Sequence, residues 1–124
     1  MNWIIFLTAL IMVESGDDPY AIGDKHLTNK AYGICQIRQP YLDDVNRIEG
    51  TSYTLTDVRN NRGVSRWCVI RYVTHYGARY TRQTGNPLTY EIAARIHNGG
   101  PNGWKKSSTD DHWNKVQAEI RRLK

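Results

Sequence analysis

Glu14 is the residue best placed by its neighbours to do acid chemistry. It closes an almost wholly apolar run from Trp3 to Val13, and Ser15-Gly16 follows at once. A carboxyl held against apolar walls loses hydration, which disfavours its ionised form and carries its pKa towards the range of a general acid at neutral pH. The plainer reading of Glu14 is the point where a core helix surfaces. Two more polar islands interrupt apolar sequence. In Gly33-Ile34-Cys35-Gln36-Ile37 an amide sits in a buried run, where an unpaired polar group costs about 1–3 kcal/mol. In Ala94-Arg95-Ile96-His97-Asn98-Gly99-Gly100-Pro101-Asn102-Gly103 a helix ends among glycines, which let a ligand approach the backbone. No Ser-His-Asp set has supporting spacing. Cys35 and Cys68 lack a CxxC spacing, so neither a zinc site nor any other metal or cofactor is expected.

The elements that must position these islands read as mainly helical (α+β at most). The first helix spans about residues 2–14 and is stopped by Asp17-Asp18-Pro19. Residues 20–33 are polar and turn-rich, a long loop or a small irregular hairpin. A helix follows from about Pro40 to Arg47 or Ile48, then a loop with one helical turn at 56–59. Val64, Trp67, Cys68, Tyr72 and Tyr76, three and four apart, predict a helix over 64–80. A short helix over 89–97 buries Ile92 and Ile96. The last, over 110–123, places Trp113, Val116, Ile120 and Leu123 on one face, with Asp110 and Asp111 at its start and Arg121-Arg122 at its end.

The 124 residues are enough for one domain, 1–124, with a core that needs no staples. Eight Tyr and four Trp against one Phe put polar tips on most of the aromatic surface, which suits a wet groove for sugars or bases. A net charge of +5 implies attraction to polyanions, but the basic residues are scattered and form no nucleic-acid arm. Cys35 and Cys68 fit either one bridge or two buried thiols. The apolar run at 3–13 is too short to span a bilayer, has no basic residue before it and no small-x-small site after it. It reads as the first core helix of a mature or trimmed chain, any export signal lying outside this sequence.

At the three islands the sequence resembles the lysozyme-like superfamily and, within it, the invertebrate-type (i-type) lysozymes, with a further likeness to lytic transglycosylase domains. The similar segments are Val13-Glu14-Ser15-Gly16, Gly33 to Tyr41, Arg71-Tyr72-Val73-Thr74-His75-Tyr76, Ala94 to Gly103, and His112-Trp113-Asn114-Lys115-Val116. They lie in the family's order and cover residues 13 to about 116. The resemblance implies a lysozyme-like fold and a glycoside hydrolase cutting the β-1,4 bond between N-acetylmuramic acid and N-acetylglucosamine, with Glu14 as general acid. A second carboxylate must support the oxocarbenium-like transition state. The family's position for it falls on or near His26 or Leu27, and Asp24 is the acid within reach of a small loop shift. Asp24 also reads as an ordinary turn residue. Ser15 would orient Glu14, Gln36 would hold a sugar's acetamido group or brace Glu14, Tyr32 and Tyr41 would stack on sugar rings, and His97 and Asn98 would line the cleft. His26, His75 and His112 read as structural or exposed.

If no Asp serves, the chain is a lytic transglycosylase that leaves 1,6-anhydromuramyl ends; a third reading is a glycan-binding protein without catalysis. The implied partner is peptidoglycan or a chitin-like oligosaccharide, bound by a monomer, with no nucleic acid and no stable membrane insertion. The implied setting is extracellular or periplasmic, or that of a phage endolysin, since the family's disulfide cysteines are missing here.

Overall fold

A computed structural model describes all residues, Met1–Lys124. Six helices and one two-stranded hairpin make up the regular structure: α1 (Trp3–Ser15), β1 (Ile22–Gly23), β2 (Ala31–Tyr32), α2 (Gln39–Glu49), α3 (Leu55–Asn60), α4 (Arg62–Thr84), α5 (Tyr90–Gly99) and α6 (Asp110–Leu123). Two 3-10 turns, Gly103–Lys105 and Ser107–Thr109, join α5 to α6. The mainly helical class expected from the sequence, with a small hairpin after the first helix, is what forms. The chain gathers into two compact units, Met1–Val13 with Val73–Lys124, and Glu14–Tyr72. No helix is long and apolar enough to cross a membrane.

In the first unit α1 begins where Asn2 Oδ1 accepts the amides of Ile4 and Ile5 at 3.0 and 3.3 Å. Phe6, Leu7, Ala9, Leu10 and Ile11 are buried, and Phe6 meets Trp3 edge-on and Tyr90 face-on. The helix is buried along much of its length but not on every side. Ile4 is 79% exposed and Met12 40%, and with Thr8 they form an outward stripe at a spacing of four. In α5 the Thr89 hydroxyl accepts the Ile92 amide, and Ile96 is fully buried. Arg95 joins α5 to the start of α6 through Glu91 (2.9 Å), the Thr109 hydroxyl (2.8 Å) and Asp110 (2.6 Å). Val116 and Ile120 of α6 are buried, but Leu123, expected on the same face, is 44% exposed at the fraying end.

In the second unit the hairpin pairs Ile22 with Tyr32 and Gly23 with Ala31. Tyr32 continues into a bridge with Ile37, which carries the chain to Arg38 and α2. Pro40 sits in the first turn of α2, where a missing amide hydrogen costs nothing. Thr54 and Asp57 form a reciprocal cap that starts α3. Ile34, Ile37, Leu42, Val45, Val58 and Val69 fill the interior together with Cys35 and Cys68, both free thiols. α4 starts two residues earlier than the apolar spacing predicts because Asn61 Oδ1 accepts the Val64 amide at 3.0 Å.

Candidate active site

Glu14 lies in the last turn of α1 and is half-buried. The helix stops directly behind it because Gly16 (φ 64°) and Asp17 (φ 67°) turn the backbone left-handed, a conformation glycine adopts without strain. Ser15 fixes this end. Its hydroxyl donates to Ile34 O at 2.8 Å and accepts the Asp18 amide at 3.2 Å, so the acid is tied to the 33–37 segment nineteen residues on. Ser15 thus joins two of the three islands.

Glu14's charge is felt at two buried protic groups. Cys35 is pushed up to about 12, by burial first and then by Glu14 and Cys68, against the lowering pull of a hydrogen bond with Ser65 and of Arg66. The Tyr41 phenol is raised well above its ordinary value by burial, with Tyr72, Cys35, Cys68 and Glu14 adding to it. Cys68 is likewise pushed up by burial to about 11. Near neutral pH all three groups hold their protons.

Gln36 is held at φ 53°, an unfavourable region for a side-chain-bearing residue. Its Nε2 donates to Ala21 O at 3.2 Å and Gly33 O at 3.0 Å, so both amide hydrogens pin the strand-flanking segments together. Its Oε1 lies over Gly23, where a Cβ would collide with it; only glycine admits that approach. Of the two roles weighed for this amide with respect to a sugar or Glu14, the donors serve neither directly, and the acceptor oxygen alone is left. Tyr32 is half-buried at the end of β2. Tyr41 is stacked on Tyr72, ring centroids 3.7 Å apart and planes 15° from parallel, so one face of its ring is covered.

Asp24 (φ 54°) follows β1 in an exposed turn. Its carboxylate is ion-paired with Arg38, which also donates to Asn29 O at 2.5 Å. Arg38 went unremarked in the sequence because its partner stands fourteen residues away. His26 and Leu27, on or near which the family's second acid is expected, are both exposed. In the other unit, His97 is buried at the end of α5 with its ring 6.2 Å from that of His112, and Asn98 is exposed. His75 is exposed and His112 half-buried, as the sequence suggested.

No protein-family model matches the sequence. Among curated proteins, Lysozyme 1 of Crassostrea virginica is 35% identical over 91% of this chain, and the lysozyme of Meretrix lusoria 39% identical over 68%. Invertebrate-type lysozyme 3 of Caenorhabditis elegans is 32% identical, and the matched region covers 90% of this chain and 82% of that protein. The chain belongs to the invertebrate-type lysozymes. It spans 57% of the C. virginica protein and 64% of the M. lusoria one. Solved i-type lysozymes share its fold: Tapes japonica lysozyme superposes with a TM-score of 0.74 at 30% identity, over 91% of this chain and 86% of that one. Meretrix lusoria lysozyme, crystallised with Aeromonas hydrophila PliI, gives 0.74 at 31% over 92% and 87%.

Proposed function

We propose that the protein is a muramidase, a glycoside hydrolase cutting the β-1,4 bond between N-acetylmuramic acid and N-acetylglucosamine in peptidoglycan. Glu14 protonates the bridging oxygen as the bond breaks, and Asp24 supports the developing positive charge at the anomeric carbon or attacks it. What carries the reading is Glu14 itself. An acid stands half-buried at the end of a core helix, locked by Ser15 to the Gln36 segment, in a chain of the i-type family. The protonated Cys35 and Tyr41 nearby add no charge of their own that would hold a proton back from the substrate. Ser15 orients the acid, Gln36 braces the hairpin and offers Oε1, and Tyr32, Tyr41, His97 and Asn98 contribute to sugar binding. The protein acts as a monomer outside the producing cell, on bacterial wall or a chitin-like oligosaccharide.

Glu14→Gln tests this. The substitution keeps size and hydrogen bonding but removes the transferable proton, so clearing of a cell-wall suspension should stop while the circular dichroism spectrum is unchanged. Clearing at the wild-type rate by a folded Gln variant would refute the assignment. A second reading is favoured by one observation: Asp24, the acid within reach of the expected second-acid position, is engaged by Arg38. Glu14 would then work alone as a lytic transglycosylase, with the substrate's own hydroxyl closing the ring. Mass spectrometry of digested peptidoglycan separates the two, reducing ends against 1,6-anhydromuramyl ends.

A further inference from the structure

Pro19, Tyr20 and residues 59–63 line an open cavity of about 490 Å³ in the Glu14–Tyr72 unit. None of these residues belongs to the machinery described above. Two are arginines, and they differ in how they are satisfied. Arg62 is ion-paired with Asp17 and also reaches Asp17 O at 3.3 Å. Arg59 has no carboxylate partner: one Nη donates to Tyr20 O at 3.4 Å, and its Nε is buried with no hydrogen-bond partner. The Arg59 guanidinium is therefore in no ion pair, while Asp18, whose Oδ1 accepts the Tyr20 amide at 2.9 Å, stands beside the rim. The Arg59 guanidinium sits 6.0 Å from the centroid of the Tyr20 ring, which is itself 69% exposed. Asn60 and Asn61 add amide groups to the wall. The cavity also borders the start of the 23-residue α4, whose dipole adds positive potential.

The buried Nε is closed to a ligand, but the Nη groups of a guanidinium that is in no ion pair can present two parallel hydrogen bonds to a planar anion, and a carboxylate fits that fork. A neutral N-acetyl sugar would leave the charge unanswered. We propose that this cavity receives a carboxylate of the peptide stem that peptidoglycan carries on its muramic acid. The choice of stem as the source rests on the muramidase reading. Reach agrees with it. Pro19 follows Glu14 by five residues, so their Cα atoms are at most about 18 Å apart. A stem of several residues spans that distance from a muramic acid held at Glu14. The site discriminates stem-bearing wall from stem-free glycan.

The test is isothermal titration of the unmodified protein with alanyl-γ-glutamyl-lysyl-alanine as the free acid and as the fully amidated peptide. The acid should bind at least tenfold more tightly than the amide, and Arg59→Gln should abolish the difference. Equal binding of acid and amide by the unmodified protein overturns the proposal, as does inorganic phosphate at equal concentration displacing the peptide completely, which would mark a general anion site. Neither arm needs a glycosidic bond to be cut. A protein that fails to clear walls yet separates acid from amide loses the muramidase reading and keeps the site. A protein that clears walls but binds both peptides alike keeps the activity and loses the site.

Discussion

Asp24 carries the sharpest question at the scale of single residues. Its carboxylate is exposed and paired with Arg38, and an exposed pair of this kind contributes at most about 1 kcal/mol to stability. The pair is therefore weak enough to open for a ligand in the role proposed for Asp24, and Asp24 can be neutralised without unfolding the hairpin. If Asp24 supports the oxocarbenium ion, Asp24→Asn should cost at least tenfold in kcat with little change in KM, because the missing charge acts only as positive charge develops. A rate within twofold of wild type would remove Asp24 from the mechanism and favour the one-acid reading. Gln36 shows the other face of residue-scale reading. That a buried amide must find partners was legible from its apolar neighbours; which partners it finds was not, since Ala21 O and Gly33 O are backbone groups that every sequence offers. Likewise Tyr41 was legible as an aromatic near the site, whereas its stacking on Tyr72 is a contact thirty-one residues away in sequence.

Elements repeat the pattern. The end of α1 at Ser15-Gly16 and the start of α2 near Pro40 follow from residue types at fixed offsets, so the frame that sets Glu14 and the 33–37 segment could be read directly. The 3-10 turns between α5 and α6 have no period to betray them; the buried Thr109 with Arg95, and Lys106 Nζ donating to Gly99 O at 2.9 Å, hold them. The Arg59 cavity escaped for a similar reason: Tyr20 and Arg59 are thirty-nine residues apart, and neither carries a local signal. Between these extremes stands α3, read as a single turn at 56–59 and found as Leu55–Asn60. So short a helix is marginal by propensity. Its start is held by Thr54, whose hydroxyl accepts the Asp57 amide at 3.2 Å while Asp57 accepts the Thr54 amide at 2.8 Å. Thr54→Ala should therefore cost about 1 kcal/mol, or roughly 4 °C in Tm for a chain of this length, read from thermal unfolding by circular dichroism. An unchanged Tm would mean that the buried Val58 holds the helix without its cap.

For the molecule as a whole, the net charge of +5 acts at long range and does not depend on the roles proposed for Glu14 and Asp24. Several basic side chains carry no carboxylate partner, Arg59 among them, so the excess is a property of the surface and not of one patch. Bacterial wall is polyanionic, and on the muramidase reading the cationic protein would be concentrated on it by a field that fades over about 10 Å in 0.1 M salt and about 3 Å in 1 M. Raising salt from about 0.05 to 1 M should therefore raise the apparent KM on intact wall several-fold. On the muramidase reading, cleavage of a short, uncharged chitooligosaccharide should respond far less over the same range, because only the proton transfer proposed for Glu14 and local contacts would be at work there. Parallel initial-rate series on the two substrates measure this directly. Equal salt sensitivity on both would place the effect in the fold or the acid itself and remove long-range attraction from the account.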